Sequence, residues 1–360
     1  MIEDIESAVR NAFKDLKKIQ QGEKALLRTG AEMIDCHIKG LLPGDVVVIA
    51  GAPSSGKSET LYRMLDDILS NEVNPHADKY VSLEFSMEMK MLNKLMRKLS
   101  RLLGKKKSDI LYNEFSADEK LKVSEYFESL KDERRSVIQS PVTPKEFYSI
   151  CQKYCEENKD KEGIVISVDH MLLFSGSDKQ AVLEQVSECI NLLKLSYSNV
   201  YFIILSQLNR NILGNIKESD NSMIPNNTML FGSSFMEHLA SYIVIITNPF
   251  KQGINNYLKV NYDRYEYLSE FYGKKDTKNR VSFETLGNLF YFVTKARESD
   301  NAYKDLFISK MDLTSDQLEK LRQSVVDSTP DSPVDKSSDI VEMPVFFSPA
   351  MNKAREETPF

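Results

Sequence analysis

The feature that most constrains this chain is a glycine-rich segment, Gly51-Ala52-Pro53-Ser54-Ser55-Gly56-Lys57-Ser58. It follows the pattern G-x-x-x-x-G-K-[ST] of a loop that binds phosphate groups. Residues 46–50 before it are all apolar, which suits a buried strand, and residues 59–65 after it have the spacing of a helix. Because a strand, a tight loop and a helix N-terminus together form an anion site, the segment predicts a nucleotide site in an α/β domain.

The loop residues also predict the ligand. Backbone N–H groups would surround the phosphates, and the Lys57 ammonium would reach the β- and γ-phosphates. The Ser58 hydroxyl would bind Mg²⁺, so ATP and Mg²⁺ are the expected cofactors. The predicted nucleotide-binding residues are the loop and the residue after it: Gly51, Ala52, Pro53, Ser54, Ser55, Gly56, Lys57, Ser58 and Glu59.

Apolar runs alternate with helical patterns along most of the chain. This βαβ rhythm predicts a mostly parallel sheet flanked by helices, with ligands at the carboxyl ends of the strands. The predicted strands cover residues 46–50, 80–85, 164–168, 201–205, 242–247 and 289–294. The predicted helices after the loop cover residues 87–103, 117–130, 144–157 and 179–195.

Polar residues at the strand ends supply what a nucleotide hydrolase needs besides the loop. Asp169 ends an apolar strand, which is the Walker B form and places a carboxylate near Mg²⁺. Glu88 lies just past another strand and would polarise the attacking water. Alternatively, Glu88 is a glutamate in the first turn of a helix, where it only interacts favourably with the helix dipole. Glu84 lies within that strand and is expected to be structural, whereas Gln207 ends a further strand and would sense the γ-phosphate.

The two ends of the chain differ from its body. Residues 1–20 carry one apolar stripe at helical spacing, and either this domain or a neighbouring subunit would cover it. Residues 311–360 hold ten acidic and five basic side chains and five of the twelve prolines, so a disordered acidic tail is expected from about residue 325. The predicted domains are therefore residues 1–22, a linker helix; 28–310, the nucleotide domain; and 325–360, the tail.

Composition excludes some classes of protein. No apolar stretch approaches the ~20 residues of a membrane span, and the acidic N-terminus lacks the apolar region of a signal peptide, so a cytoplasmic protein without a membrane partner is expected. The four cysteines form no C-x-x-C pair and are expected to be buried apolar residues rather than metal ligands. Residues 250–288 mix tyrosine with lysine and arginine; we favour an exposed hairpin there over a surface for single-stranded nucleic acid.

Several motifs together resemble the RecA-like ATPase domain of DnaB-type replicative helicases, over about residues 28–300. Leu205-Ser206-Gln207-Leu208-Asn209-Arg210 matches the family's L-S-Q-L-N-R throughout. Phe85-Ser86-Met87-Glu88-Met89 is similar to F-S-L-E-M, and Val168-Asp169-His170-Met171-Leu172 is similar to I-D-Y-L-Q. Lys295-Ala296-Arg297 is similar to the family's K-x-R.

The resemblance implies a RecA-like core in a homo-oligomeric ring, usually a hexamer, that binds ATP between subunits and moves on single-stranded DNA in replication. It implies that Lys57, Ser58, Glu88, Asp169 and Gln207 act from one subunit. It also implies that Lys295 and Arg297 reach the γ-phosphate of a neighbour, where added positive charge stabilises phosphoryl transfer. Residues 1–20 would correspond to the family's linker helix, which packs on the adjacent subunit.

The chain also departs from the family pattern. Too little sequence precedes residue 28 for the N-terminal domain that engages primase, as expected for a reduced helicase of the kind found in phage genomes, which would act in the host cytoplasm. Residues 211–230, which usually form a basic loop that contacts DNA, contain only Lys217 as a basic residue. Two other functions therefore stay open: a RecA- or KaiC-like ATPase for recombination or regulation, and an assembly or loader scaffold controlled by nucleotide. The tail ends Glu356-Glu357-Thr358-Pro359-Phe360, and residues 340–360 would recruit a replication partner or lie back on basic loops of the same chain. Alternatively, the tail would only keep the chain soluble.

Overall fold

The computed structural model describes residues 4–22, 25–130, 134–208, 223–261, 263, 273–275, 278–297 and 305–310. Three predictions fall wholly or partly outside them: the loop 211–230 up to residue 222, the tyrosine-rich segment 250–288 over most of residues 262–272, and the tail from residue 325. No helix in the described part of the chain is both long and apolar enough to cross a bilayer.

A mixed eight-stranded sheet forms the centre of the molecule, in the order β11-β10-β6-β1-β5-β4-β2-β3, and a small antiparallel sheet has the order β7-β9-β8. Strands β1 to β6 run parallel to one another, whereas β10 runs antiparallel to both of its neighbours, β6 and the edge strand β11. The strands are β1 Val46–Gly51, β2 Tyr80–Ser86, β3 Arg135–Ile138, β4 Gly163–Asp169, β5 Val200–Gln207, β6 Tyr242–Thr247, β7 Asn256–Asn261, β8 Gly273–Lys275, β9 Arg280–Glu284, β10 Asn288–Ala296 and β11 Leu306–Lys310.

Helices cover both faces of the large sheet. Their ends follow local chemistry: Thr143 and Glu146 form a reciprocal capping box at one helix start, and Ser116 and Glu119 form another. The α-helices of the described residues are α1 Ile5–Gln20, α2 Glu32–Ile38, α3 Lys57–Ile68, α4 Met91–Leu103, α5 Lys107–Tyr112, α6 Ala117–Ser129, α7 Pro144–Glu157, α8 Lys179–Ser196 and α9 Ser233–Leu239.

The core strands are apolar on both faces because helices cover each side of the sheet. β1, β4 and β6 are buried at every residue, and their side chains alternate between two apolar clusters, one on each face. All six strands expected from the sequence are present, with ends that differ by at most two residues. The α/β class with a mostly parallel sheet is confirmed.

Several elements differ from the expectation. The helix expected from residue 87 begins only at Met91, because the Met87 N–H donates to the Asp169 carbonyl and continues the strand pairing. The short strand β3 and the edge strand β11 were missed, since four or five residues carry little periodicity. The segment 250–288 contributes a three-stranded sheet rather than a simple hairpin.

The N-terminal helix α1 leaves its apolar stripe in solvent. Asp4 caps the helix, and the exposed fractions of Ile5, Val9, Phe13 and Leu16 are 76%, 59%, 55% and 47%. None of the described residues buries this stripe, and the surface that covers it stays a prediction.

Two carboxyl groups, one on α2 and one near the end of α3, have raised pKa values. Burial and the neighbouring Asp66 raise the pKa of Asp67 to about 7, and burial raises the pKa of Asp35 to about 6. Burial also opposes the ionisation of Asp66, but Arg135 and Lys98 donate to that carboxylate over 2.7 and 2.6 Å and hold its pKa below the ordinary value.

Asp67→Asn is expected to raise thermal stability at pH 8 more than at pH 5. The folded pKa of Asp67 lies above its unfolded value, so the stability linked to its proton is present at low pH and lost as the pH rises through about 7. Asp67 is partly exposed, so the gain at pH 8 should be about 1 kcal/mol, or about one to two degrees in Tm. Asp66→Asn is the matched control and should lower Tm at pH 8. A Tm difference for Asp67→Asn that is equal at both pH values would contradict this expectation.

Candidate functional site

Four neighbouring strands bring Glu88, Asp169 and Gln207 to one end of the sheet, beside the loop that carries Lys57. β1 leads directly into the glycine-rich loop, and its last residue, Gly51, is paired with Gln207 of β5. Asp169, the last residue of β4, is paired with Ser86 at the end of β2, and Glu88 follows two residues later. Because parallel strands end at the same edge, side chains separated by more than 150 residues meet around the loop.

The loop needs its two glycines for different reasons. A Cβ atom on Gly51 would lie 2.3 Å from the Ser55 hydroxyl and 2.6 Å from the Ile246 carbonyl oxygen, so no side chain fits. Gly56 has a φ of 101°, a conformation that other residues rarely adopt, and the next residue, Lys57, begins α3. The N–H groups at the start of α3 therefore face the space above the loop.

Lys57 is held within the loop that carries it. Its Nζ donates to the carbonyl oxygens of Gly51 and Ala52 over 2.7 and 2.8 Å. Burial lowers its pKa to about 8, although Glu88 and Asp169 favour the charged form. A bound phosphate would add negative charge beside this ammonium and restore its usual proton affinity.

Asp169 presents one carboxylate oxygen that lacks a partner. The side chain is 1% exposed, and Oδ2 accepts a hydrogen bond of 3.1 Å from the Tyr62 hydroxyl. Oδ1 is buried and makes no hydrogen bond to any described residue. An orphaned buried carboxylate oxygen beside a phosphate loop fits a divalent cation, which Mg²⁺ sites in nucleotide enzymes complete with a hydroxyl such as that of Ser58 and with phosphate oxygens.

Tyr62 and Glu84 form a supporting layer under this carboxylate. Lys94 of α4 makes an ion pair with Glu84 and lies 4.7 Å from the centre of the Tyr62 ring. Burial raises the pKa of Glu84, and Lys94 opposes the shift. Glu84 is therefore committed to an internal pair, as expected of a structural residue, whereas Tyr62 is a contact of Asp169 that the sequence pattern did not reveal.

Glu88, His170 and Gln207 form a second contact group. Nε2 of His170 lies 3.0 Å from the side-chain nitrogen of Gln207 and 3.9 Å from Oε2 of Glu88. Partial burial and the nearby Asp169 raise the pKa of Glu88, while Lys57 opposes the shift. Burial lowers the pKa of His170, which favours its neutral ring. Glu88 remains half-exposed, so water can reach its carboxylate.

These residues lie beside an open cleft of about 1010 Å³. Its lining contains seven basic side chains against two acidic ones, Glu59 and Glu88, so it is suited to a polyanion. The basic residues are Lys57, Arg63, Arg97, Arg101, Lys105, Lys107 and Lys251. Four of them, which come from α4, the turn after it and the first residue of α5, were missed. The available signal was the run of eight basic and no acidic residues between positions 90 and 108.

Lys295 and Arg297 lie away from this group, at the end of the sheet where the parallel strands begin. β10 is antiparallel to β6, so its carboxyl end pairs with Ile243 and Tyr242 at the start of β6. Lys295 Nζ donates to the Glu237 carbonyl, and Arg297 Nη2 donates to the His238 carbonyl over 3.3 Å. With a strand rise of ~3.3 Å per residue, Arg297 lies roughly 15 Å along the sheet from the loop of its own chain.

Comparisons with known proteins point to one family. The family model for the DnaB-like helicase C-terminal domain matches residues 27–264. The ATPase domain of G40P superposes with a TM-score of 0.61 at 14% identity, covering 88% of this chain and 98% of that one. A DnaB-like replicative helicase, described with its interactions with primase, gives a TM-score of 0.56 at 15% identity and covers 86% of this chain and 64% of that one. No curated protein sequence matches the chain.

Proposed function

The chain belongs to the DnaB-like helicase C-terminal domain family, and on that premise we propose how its residues act in an ATP-hydrolysing replicative DNA helicase. The observation that carries the proposal is the meeting of Lys57, Glu88, Asp169 and Gln207 around one phosphate loop at the edge of a basic cleft. Both solved structures share the fold of this chain.

In the proposed mechanism each residue acts on a different part of the triphosphate. Backbone N–H groups between Gly51 and Glu59 hold the phosphate oxygens, and Lys57 moves from its loop carbonyls to the β- and γ-phosphates. Ser58 and Asp169 Oδ1 would hold Mg²⁺, which neutralises charge between the phosphates. Glu88 accepts a hydrogen bond from the attacking water, and Gln207 donates to the γ-phosphate.

The proposed site is completed by a neighbouring subunit. Lys295 and Arg297 cannot reach the loop of their own chain, but their position on the opposite edge of the sheet lets them face the cleft of the next subunit in a ring. The uncovered stripe of α1 offers a second contact between subunits, because burying its apolar side chains on a neighbour removes them from water. We propose a ring of this kind, with six subunits as the expected number.

Glu88→Gln is expected to bind ATP but to lower kcat about 10²–10³-fold, because the water loses the carboxylate that polarises it. Glu84→Gln is the matched control. It should leave Lys94 buried without its charged partner and lower the free energy of unfolding by about 3 kcal/mol, with a smaller effect on kcat. Single-turnover hydrolysis and thermal melting measure the two effects. The proposed roles are reversed if Glu84→Gln is inactive while Glu88→Gln turns over normally.

A direct test of the overall function measures the ATPase rate with and without single-stranded DNA, together with the native mass of the ATP-bound form and strand displacement. A helicase should hydrolyse ATP faster with DNA, form a closed oligomer and separate strands. Filaments on DNA without strand displacement would favour the recombinase alternative. Assembly that depends on nucleotide but not on DNA would favour the scaffold.

We also propose a compartment. Replication takes place beside the chromosome, so the protein would act in the cytoplasm, which is the cytoplasm of the host if the chain is phage-encoded.

We also propose that residues 340–360 recruit a replication partner. The support is compositional: an acidic pair and a terminal phenylalanine supply charge and one aromatic anchor. Deletion of residues 340–360 should leave the basal ATPase rate unchanged and should remove a partner from pull-down experiments or alter DNA affinity. A deletion that changes neither shows that the tail serves only solubility.

A further inference from the structure

His170 is a buried side chain to which the roles above assign nothing. It is 6% exposed and follows Asp169 directly in the chain. Its Nε2 atom lies between the group proposed to sense the γ-phosphate, Gln207, and the group proposed to act on water, Glu88. A buried polar ring in contact with both groups is placed to make one depend on the other.

The position of the ring proton follows from the other nitrogen. The Leu172 N–H donates to Nδ1 of His170 over 3.3 Å, so Nδ1 acts as an acceptor and carries no hydrogen. The ring hydrogen therefore lies on Nε2 and points towards Gln207 and Glu88.

This proton sets the orientation of the glutamine. A ring N–H cannot donate to an amide nitrogen. A hydrogen bond between the two side chains therefore requires the amide oxygen of Gln207 to face His170. A rotation of 180° about the last side-chain bond of Gln207 gives this orientation. The NH₂ group of Gln207 is then turned away from the ring and is left for the cleft, which Gln207 lines. That is the orientation a donor to a γ-phosphate oxygen requires.

One hydrogen thus faces two acceptors at different distances. At 3.0 Å from Nε2 the amide of Gln207 is within hydrogen-bond range, whereas Glu88 Oε2 at 3.9 Å lies just beyond it. A movement of about 1 Å by either side chain exchanges the acceptor. When Gln207 moves with a departing phosphate, the freed N–H becomes available to Glu88, whose carboxylate then competes less well for a water proton.

We propose that His170 is a positioning residue that couples Gln207 to Glu88, so that the state of the γ-phosphate sets the hydrogen bonding of the carboxylate that polarises water. This inference rests on the function proposed above, because it takes the roles of both partners from it. His170 links the end of β4 to the end of β5, and neither Gln207 nor Glu88 makes this link alone.

The test is the steady-state ATPase activity of the full-length chain carrying His170→Gln or His170→Asn. A glutamine amide reaches the position of Nε2 and can still donate to both partners, whereas an asparagine amide reaches only the position of Nδ1. We expect His170→Asn to lower kcat roughly 10-fold with less than about a twofold change in KM, and His170→Gln to retain most of kcat. In a Gln207→Ala background, His170→Asn should have an effect on kcat of less than about twofold, because the link is already absent.

Two controls separate the outcomes. His37→Gln alters another buried histidine, 7% exposed and located on α2, and should leave kcat unchanged. Lys57→Ala, in the same assay, tests the proposed function itself. Suppose that Lys57→Ala is inactive, so that the function stands. The coupling is then refuted if His170→Gln and His170→Asn have equal kcat, or if His170→Asn and Gln207→Ala have independent effects. If Lys57→Ala turns over normally, the function fails.

Discussion

Lys57→Ala should reduce ATP hydrolysis by on the order of 10³-fold or more while the chain remains folded. Lys57 is the only residue of the loop whose side chain can bring positive charge to the β- and γ-phosphates. Its ammonium already lies in the loop, bonded to the carbonyl oxygens of Gly51 and Ala52, so it needs only a short movement to reach a bound phosphate.

The fold should tolerate this substitution because the lost hydrogen bonds connect Lys57 to carbonyl oxygens beside an open cleft, where water can replace it. Burial lowers the pKa of Lys57 to about 8, which shows that its charge is itself poorly solvated before nucleotide binds. Lys153→Ala is a charge-matched control, since Lys153 lies on α7 with its side chain 78% exposed. Hydrolysis, nucleotide binding and thermal melting are measured together; wild-type turnover by Lys57→Ala would remove the basis for the whole site.

The second large effect is expected for Arg297→Ala, which should bind ATP but lose hydrolysis by about 10³-fold. Since Arg297 lies on the opposite edge of the sheet from the loop, the loss should occur at the site of the neighbouring subunit. Two contacts fix the position of Arg297. Its backbone N–H donates to the Ser241 carbonyl over 2.9 Å, and its guanidinium contacts the carbonyl at the end of α9 while remaining exposed.

Mixing experiments test action between subunits. Arg297→Ala subunits retain an intact loop, and Lys57→Ala subunits retain an intact arginine, so each inactive variant supplies what the other lacks. In a random equal mixture about a quarter of the interfaces pair an intact loop with an intact arginine, which sets the activity to be recovered. Subunits carrying both substitutions are the control and should rescue neither variant. If mixed rings verified by native mass show no activity, Arg297 acts only as a surface charge.

Much of the candidate nucleotide site could be predicted because its parts are encoded locally. The glycine spacing of the loop, the apolar strand before it and the polar residues that end β2, β4 and β5 are each contained in fewer than ten consecutive residues. The six main strands were predicted for the same reason, since an apolar run between breaks marks a strand buried on both faces. Their places along the strand distinguished Glu88 from Glu84, and Glu84 makes an ion pair with Lys94; the different roles of the two carboxylates stay a prediction.

Other features depend on how distant segments pack. Nothing in the sequence near β10 states that this strand runs antiparallel to β6, yet that direction alone places Arg297 roughly 15 Å from the loop. Three other features likewise join residues that are far apart in the chain. They are the basic side chains of α4 beside the phosphate loop, the hydrogen bond from Tyr62 to Asp169, and the contact of His170 with Gln207.

The sequence by itself therefore determined the type of site, the class of fold and the residues that belong to the phosphate loop, because these follow from the chemistry and periodicity of neighbouring residues. The tertiary structure decided which side chains share the cleft, which oxygen of Asp169 accepts no hydrogen bond from a described residue, and that Lys295 and Arg297 lie at the other end of the sheet from the loop. Those outcomes depend on strand order and direction, which are set by the burial of whole apolar faces and by the crossover connections between strands, and no local pattern records them.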